Sequence, residues 1–298
     1  MRSANDLKLV CIGGGHGLGR LLVALKEAKK NLTGIVATTD DGGSTGRLRE
    51  EADTIAWGDL RNCLNHLNSD PSIGQLLFEY RFNTQGDLNG HNLGNLILFA
   101  LDQMSIRPTD AIQVMRDMLR IKSHVYPMSD HPTTLMADTL VTEEGGGNTL
   151  MGELVIDDSE EQIERLYLSP EVNAEPEVID SIQQADGIIL SAGSFMTSIM
   201  PSLLVRNIAD AINKSDAPLI MVANLKEEII GGKPLKFDQQ LELLRRAGIR
   251  NLDRVLWPHH RINDVQADVA IQSCDVGEPG AALHDTEGLK QAVLSVFE

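Results

Sequence analysis

Residues 7–25 read LKLVCIGGGHGLGRLLVAL, and this stretch predicts the class of fold. Its first six residues are a short apolar run typical of a buried strand, and the apolar positions of RLLVAL recur with helical spacing. The glycines between them, at positions 13, 14, 15, 17 and 19, mark a tight turn. Residues 33–39 form a second β-rich run. The first 40 residues therefore predict one βαβ unit with parallel strands and a right-handed crossover.

The alternation of strands and helices resumes near residue 180, after two segments of different character. Residues 59–122 carry apolar positions with helical spacing and predict a helical insertion. Residues 133–157 alternate around an E-E-G-G-G-N turn, as an antiparallel β-hairpin does. We expect core strands from about 7–58 and 180–275 to build one parallel sheet. Since no linker-like stretch separates two halves, we predict a single interrupted α/β domain over residues 1–298.

Composition narrows the class of protein. The chain has 298 residues, a net charge of −17 at pH 7 and a pI of about 4.8. Such a charge repels nucleic acid and anionic lipid. The cysteines, Cys11, Cys63 and Cys274, are odd in number and lack C-x-x-C spacing, which is typical of a reduced, cytoplasmic protein. No run approaches the roughly 18 apolar residues of a spanning helix. We therefore expect no nucleic-acid partner and no membrane insertion.

The glycine turn matches neither common phosphate-binding motif. No register gives G-x-G-x-x-G, and the G-x-x-x-x-G from Gly14 to Gly19 is followed by Arg20 and Leu21 in place of Lys and Ser/Thr. Glycines nevertheless let the backbone approach a ligand closely, and free N–H groups at a helix start favour an anion. A tight strand-to-helix turn is the alternative. We favour a ligand, bound by Gly13, Gly14, Gly15, His16 and Gly17.

Residues 38–47, TTDDGGSTGR, form a polar loop after the second predicted strand. Asp40 lies about where a dinucleotide-binding fold places the carboxylate that holds a ribose. The loop also carries donors suited to phosphate oxygens. Alternatively, Asp40 or Asp41 binds a divalent metal or accepts a proton, or the loop consists of Asx and Ser/Thr turns. The predicted ligand-binding residues here are Asp40, Asp41, Gly42, Gly43, Ser44, Thr45 and Arg47.

Two further polar clusters precede apolar helices. In WGDLRNCLN, residues 57–65, Asp59 either caps the following helix or faces the ligand. Arg61 and Asn62 then fall in the first turn, near where an anion would lie. In GHNLGNLILFAL, residues 90–101, the polar groups either satisfy each other or face a pocket, and we favour the pocket. The candidates in this second cluster are His91, Asn92 and Asn95.

Polar residues also follow two later strands. The turn SAGSF at 191–195 ends a buried strand, and Asn224 ends the strand PLIMVAN. Ligands in open α/β sheets bind outside the carboxyl ends of the strands, so we predict that Gly193, Ser194 and Asn224 join the same pocket. The sequence has no G-x-S-x-G elbow, no H-E-x-x-H and no Walker lysine, and we assign no catalytic residue.

Read in order, GGGHGLGR, TTDDGGSTGRLREE, WGDLRNCLN, GHNLGNLILFAL and GSFMTSIMPSLLV resemble the gluconeogenesis factor family. These YvcK-like proteins belong with the 2-phospho-L-lactate transferase (CofD) superfamily, and the resemblance covers nearly the whole chain. It implies a Rossmann-like three-layer α/β/α core with a mainly parallel central sheet and the two insertions. It also implies binding of UDP-sugars such as UDP-N-acetylglucosamine, and a part in cell shape and wall synthesis during growth on gluconeogenic carbon sources.

The resemblance also implies roles for the candidate residues. Gly13–Gly17 and Asp40–Arg47 would border the nucleotide and its phosphates. Gly193, Ser194 and Asn224 would close the other side of the pocket. The remaining lining would come from Asp59, Arg61, Asn62, His91, Asn92 and Asn95. The stretch LKEEIIGGKP after Asn224 departs from the threonine-rich stretch usual in the family.

Two functions stay open at this point. The first is a regulatory protein that binds a UDP-sugar or related phosphate-bearing nucleotide and acts on a wall-synthesis or metabolic partner. The second is a metal-assisted transferase of the 2-phospho-L-lactate transferase type, in which Asp41 or Asp59 holds magnesium with the nucleotide. A nicotinamide dehydrogenase is a weaker option because the dinucleotide fingerprint is missing. We expect a homodimer, the commonest oligomer.

Overall fold

The computed structural model describes residues 4–68, 73–104, 106–142, 145–264 and 268–298. The apolar runs of the sequence form the strands of its largest sheet, and shorter strands build smaller sheets beside it. In chain order the strands are β1 (Leu9–Gly13), β2 (Leu32–Val36), β3 (His124–Pro127), β4 (Thr134–Thr139), β5 (Val141–Thr142), β6 (Gly145–Gly146), β7 (Thr149–Met151), β8 (Ile163–Ser169), β9 (Gly187–Leu190), β10 (Leu219–Val222), β11 (Ile229–Ile230), β12 (Lys233–Pro234), β13 (Arg254–Pro258) and β14 (Ile271–Cys274).

Helices occupy the segments in which apolar residues recur with a period near 3.6. A π-helical turn, Phe195–Ile199, follows β9 and leads directly into the next helix. The α-helices are α1 (Gly15–Leu25), α2 (Gly43–Glu51), α3 (Gly58–Leu67), α4 (Ile73–Glu79), α5 (Leu93–Gln103), α6 (Pro108–Met118), α7 (Glu153–Asp158), α8 (Pro176–Gln183), α9 (Met200–Leu204), α10 (Arg206–Lys214), α11 (Phe237–Arg246) and α12 (Thr286–Leu294).

The central sheet has the strand order β14-β13-β10-β9-β1-β2-β3, and all its paired strands run parallel. In β1 and β2 every residue is buried, as expected for parallel strands covered on both faces. The predicted parallel sheet is thereby confirmed. The predicted core ranges omitted the edge strand β3, because its four residues lie between the two insertions and only alternate ones are buried.

Two apolar cores flank this sheet. Side chains alternate across a strand, so Cys11 faces one core while Val10 and Ile12 face the other. The first core contains residues from α1, α3, α5, α6 and α12, and the second contains residues from α8, α9, α10 and α11. The fold is therefore a Rossmann-like three-layer α/β/α arrangement, as the resemblance implied.

The predicted helical insertion is present, whereas the predicted hairpin is only partly correct. Helices α3 to α6 run from Gly58 to Met118, which confirms the helical segment predicted over residues 59–122. In the predicted hairpin, β4 pairs antiparallel with β7, but β8 adds a third strand on the other side of β4. Residues 153–157 are wrong as a strand because they form α7, which starts after Gly152 at φ 92°. Glu143 and Glu144 of the predicted turn lie outside the described residues.

The second half of the polar stretch 38–47 is helical. It was predicted as a loop, but α2 starts at Gly43, with the Gly46 N–H bonded to the carbonyl oxygen of Gly42 at 3.0 Å. The helical continuation RLREE carries good helix formers, and it extends the helix back into the glycine-rich stretch. The loop proper is therefore limited to the residues between β2 and Gly42.

Two further features of the fold are the burial of the cysteines and the length of the helices. Cys11, Cys63 and Cys274 are all free thiols and buried. Burial raises the pKa of the Cys11 thiol, which keeps it protonated and unreactive. Among the described helices, none has the length and apolar character needed to cross a membrane.

Candidate functional site

Three turns meet at one edge of the sheet. Because β1, β9 and β10 are parallel neighbours, their carboxyl ends lie side by side. The residues that follow these ends line one cleft of about 740 Å³. The structure therefore brings two predicted glycine turns and the end of β10 together. The predicted residues in this cleft are Gly14, Gly15, His16, Gly17, Gly193, Ser194 and Asn224.

Close packing explains part of the glycine content of the first turn. A Cβ on Gly17 would lie 1.8 Å from the carbonyl oxygen of Ala192, so the two turns touch through their backbones. A Cβ on Gly14 would lie 2.5 Å from Oδ2 of Asp59. The turn is thus a tight junction and one wall of the cleft at the same time, and the two alternatives raised from sequence do not exclude each other.

Asp59 supports the glycine turn and does not cap its own helix. The N-cap of α3 is Trp57, and no side chain caps that end. Asp59 accepts a hydrogen bond from the Gly15 N–H and another from the Asn62 side chain. Burial and the nearby charge of Asp40 raise the pKa of Asp59 to about 6. The carboxyl group therefore titrates close to neutral pH, directly behind the backbone of the glycine turn.

A cluster of carboxylates surrounds the loop between β2 and α2. Oδ1 of Asp40 accepts the Gly42 N–H at 3.0 Å, while Oδ1 of Asp41 accepts the N–H of Leu154 in α7 at 3.1 Å. Glu153 accepts the Thr39 hydroxyl at 2.5 Å. Burial, with the charges of Asp40, Asp59 and Asp41, raises the pKa of Glu153 well above its usual range. Glu153 was not predicted as a site residue, because residues 133–157 were expected to form a hairpin and Glu153 instead begins α7.

Arg49 is a cation beside these carboxylates, and it bonds the backbone around them. Its Nη1 donates to the carbonyl oxygens of Thr39 and Asp40 at 2.9 and 3.2 Å, and its Nη2 donates to that of Thr133 at 2.6 Å. Burial lowers the pKa of Arg49, and the charges of Asp41 and Glu153 raise it. Arg49 was not predicted because its contacts are to backbone atoms distant in sequence. It fixes the path of the chain from β2 into α2.

The carboxylates suit a magnesium ion that arrives with a nucleotide. Within the described ranges, no three His, Cys, Asp or Glu side chains are grouped so as to hold a metal ion. Magnesium, however, commonly takes one or two carboxylates together with phosphate oxygens. Asp40 and Asp59 offer two such carboxylates beside the glycine turn. Asp41, one of the predicted ligands, instead binds the backbone of α7.

The polar residues at the head of α5 form a continuous hydrogen-bond chain. His91 contacts the Ser44 hydroxyl through Nδ1 at 3.0 Å. The Asn95 N–H donates to Oδ1 of Asn92, which makes Asn92 the N-cap of α5. Oδ1 of Asn95 in turn accepts Nε of Arg61 at 3.0 Å. These buried groups therefore satisfy each other, and the chain ties α2, α3 and α5 together.

The second turn is held by two side chains from the segment after β10. Asn224 bonds both backbone groups of Gly193, at 2.9 Å to its N–H and 2.8 Å to its carbonyl oxygen. Glu228 accepts the Ser194 hydroxyl at 3.0 Å and the Phe195 N–H at 2.8 Å. Burial raises the pKa of Glu228 to about 7, and the charge of Asp157 adds to the rise. Glu228 lies in the stretch LKEEIIGGKP, residues 225–234, and was not predicted as a site residue.

A second cavity of about 370 Å³ adjoins the first and shares Gly193, Asn224 and Glu228 with it. Its walls include the Phe237 and Trp257 rings, whose centroids are 5.2 Å apart. The Trp257 N–H donates to the carbonyl oxygen of Arg261 at 2.8 Å. The polar cleft thus continues into a space with an aromatic wall.

Fold and site together define a Rossmann-like α/β protein with a polar cleft at the carboxyl edge of a parallel sheet. The family model described as 2-phospho-L-lactate transferase CofD matches residues 9–294, and the chain belongs to this family. A Vibrio cholerae protein of the gluconeogenesis factor group is 46% identical over 294 residues, which cover 96% of each chain. The Bacillus subtilis gluconeogenesis factor is 38% identical over 219 residues, 73% of this chain and 68% of that protein.

Structural comparison agrees with the sequence relatives. A crystal structure of a UPF0052 family member from Bacillus halodurans superposes with a TM-score of 0.86 at 28% identity. The match covers 96% of this chain and 98% of that one. The family resemblance and the fold predicted from sequence are both confirmed.

Proposed function

We propose that this protein binds a UDP-sugar or a related phosphate-bearing nucleotide and acts as a regulator. The observation that carries the proposal is the convergence of three turns, after β1, β9 and β10, on one cleft of about 740 Å³. Glycine turns at strand ends expose backbone N–H groups, which bind phosphate oxygens well. The cleft volume falls within the 300–1,000 Å³ typical of small-molecule sites.

In this proposal the two adjoining cavities take different parts of the nucleotide. The polar cleft beside Gly14 and Gly15 holds the phosphates, and the cavity beside Phe237 and Trp257 takes the base. Aromatic walls suit a flat base, because stacking on an aromatic face contributes about 1–3 kcal/mol. Lys226 is exposed and lines both cavities, so its ammonium group is placed to contact phosphate.

A thermal-shift series tests this proposal directly. We expect UDP-N-acetylglucosamine or UDP-glucose, with magnesium, to raise the melting temperature, whereas GDP and NAD do not. At a hundred times its dissociation constant a ligand adds about 2.7 kcal/mol of stability. Lys226→Gln should weaken the response, and Lys214→Gln, an exposed lysine on α10, should leave it unchanged. A response to GDP alone would overturn the proposed ligand.

One observation favours the alternative of a metal-assisted transferase. Asp59 and Glu153 are carboxyls with raised pKa values beside the phosphate-binding turn, and perturbed carboxyls are common at catalytic sites. A transferase would consume the nucleotide sugar in the presence of magnesium and an acceptor. Phosphorus NMR of UDP-N-acetylglucosamine incubated with the protein, magnesium and a cell extract as acceptor source distinguishes the two. Turnover that Asp59→Asn abolishes favours the transferase, and an intact nucleotide sugar favours the regulator.

The proposal includes a cellular role, and the names of the relatives support the gluconeogenic part of it. We propose that the protein acts in the cytoplasm, as a homodimer, on a wall-synthesis or metabolic partner during growth on gluconeogenic carbon sources. A deletion strain should lose normal cell shape on such sources and keep it on glucose. Complementation with Lys214→Gln should restore the shape, and complementation with Lys226→Gln should not. If both variants restore the shape equally, the cellular role does not depend on ligand binding in the cleft.

A further inference from the structure

Two arginines from different elements meet at Gly90, and a third lies close to one of them. Arg81, which follows α4, donates Nη1 to the carbonyl oxygen of Gly90 at 2.6 Å. Arg47, on α2, donates Nη1 to the carbonyl oxygen of Asp87 at 3.4 Å, and its Nη2 lies 3.5 Å from the position of a Cβ on Gly90. Both guanidinium groups are therefore within a few ångströms of Gly90.

Arg61, on α3, completes the group. A Cβ on Gly94 would lie 2.9 Å from Cδ of Arg61, so this side chain runs along the start of α5. Burial lowers the pKa of Arg61, and the charge of Arg81 lowers it further. Burial also lowers the pKa of His91, again reinforced by the charges of Arg47 and Arg81. Arg81 therefore acts electrostatically on both Arg61 and His91, and Arg47 acts on His91.

The positive charges of this cluster have only neutral hydrogen-bond acceptors. The chain has 43 acidic and 26 basic residues, so arginines without a carboxylate partner are unexpected. Yet in the part of the chain that the structure describes, none of the three forms a salt bridge. Glu79 and Asp59 act on Arg61, and Glu51 acts on His91, only at a distance. Grouped like charges repel, and an added anion would relieve this cost.

The loop that carries Arg81 is held in place by backbone bonds. The Phe82 N–H bonds the carbonyl oxygen of His91 at 2.9 Å, and the Gly90 N–H bonds that of Phe82 at 2.8 Å. The Leu93 N–H bonds the carbonyl oxygen of Tyr80 at 2.8 Å. Both ends of the segment 80–90 are therefore fixed to the start of α5. Arg81 is positioned before any ligand arrives, which lowers the entropic cost of binding.

We propose that Arg47, Arg61 and Arg81 form an anion-binding subsite, separate from the glycine turn, for a phosphate or carboxylate group. Guanidinium groups bind such planar or tetrahedral oxyanions through paired N–H donors. The anion is either a charged group on the sugar end of the nucleotide ligand or a second, small phosphorylated molecule. For the first source the subsite rests on the proposed function; binding of free anion does not depend on it.

Inorganic phosphate tests the subsite without any nucleotide. Melting temperatures are measured over a phosphate series at constant ionic strength for the wild type, Arg81→Gln, Arg81→Lys and Arg206→Gln. Arg206 is an exposed arginine at the start of α10 and is the matched control. We expect Arg81→Gln to bind phosphate at least about tenfold more weakly, because a charge-assisted bond is lost, and Arg81→Lys to fall between. Unchanged binding in Arg81→Gln, or an equal loss in Arg206→Gln, would overturn the subsite.

Two nucleotide sugars then separate the sources of the anion. If the anion belongs to the sugar, Arg81→Gln weakens UDP-glucuronate about tenfold and leaves UDP-glucose unchanged. If it belongs to a second molecule, protein saturated with UDP-glucose still binds phosphate, and Arg81→Gln removes that binding. Phosphate binding that needs Arg81, in a protein that binds neither nucleotide sugar, would support the subsite and overturn the proposed function.

Discussion

Glu228 offers the sharpest test of the electrostatics of the cleft. Its carboxylate receives the Ser194 hydroxyl and the Phe195 N–H, and burial raises its pKa from the ordinary value of 4.5 to about 7. Glu228→Gln keeps an oxygen that can accept both hydrogen bonds and removes the charge that burial disfavours. The variant should therefore be more stable than the wild type wherever Glu228 is ionised.

The size of the effect follows from the pKa difference between the folded and unfolded states. The folded state binds the proton more tightly, so stability is fully present below pH 4.5 and is lost as the pH rises through about 7. A pKa difference of one corresponds to about 1.4 kcal/mol, which puts the full loss at about 3 kcal/mol. About 2 kcal/mol of this loss falls between pH 5.5 and pH 8, a range above the pI of about 4.8.

Urea unfolding of both proteins at pH 5.5 and pH 8 measures the effect. The free energy of unfolding of Glu228→Gln minus that of the wild type should grow by about 2 kcal/mol between these pH values. The raised pKa of Asp59 affects both proteins alike and cancels in the difference. Glu227→Gln, at the exposed neighbouring position, is the control and should show a constant difference. A constant difference for Glu228→Gln as well would refute the reasoning.

Three further substitutions test the turn, the loop and the metal. Gly17→Ala should destabilise the fold by about 3 kcal/mol or more in thermal unfolding, since its Cβ would overlap the carbonyl oxygen of Ala192, whereas Gly86→Ala, with open space around it, should change little. Arg49→Gln should lower the free energy of unfolding by about 2–3 kcal/mol in urea, because backbone carbonyls lose a charged donor; no loss would contradict its role. Asp59→Asn should reduce the dependence of UDP-sugar binding on magnesium in calorimetric titrations, and an unchanged dependence would exclude Asp59 as a ligand.

Much of the fold could be predicted because its signals are local. The residues of β1 and β2 are buried on both faces and so form continuous apolar runs, and the glycine turn between β1 and α1 is explicit in the sequence. Two elements were not predicted, β3 and α7, because their sequence patterns are weak or resemble those of another element. β3 is short and only half buried, and α7 follows a strand-like alternation that ends at Gly152. At both places tertiary packing decides the conformation.

The candidate site was predictable only in the part that follows strand ends. Residues such as Gly15 and Asn224 could be selected because the ends of parallel strands share an edge. Glu153 and Glu228 could not, because their hydrogen-bond partners are distant in sequence: Thr39 bonds Glu153 across 114 positions, and Ser194 bonds Glu228 across 34. Such contacts leave no periodicity or spacing in a single sequence, so side chains that complete a site from an insertion become visible only in the fold.

The start of α3 carries opposite charges toward two different surroundings. Asp59 and Arg61 are two positions apart, and residues at that spacing point to different sides of a helix. Asp59 lies with Asp40 behind the glycine turn, whereas Arg61 lies with Arg81 beside α5. A bare diphosphate on the glycine turn would be repelled by Asp40 and Asp59, so its binding there should require magnesium. An anion beside Arg61 and Arg81 needs no metal ion for its binding. Its negative charge would offset the positive charge that magnesium adds at the glycine turn.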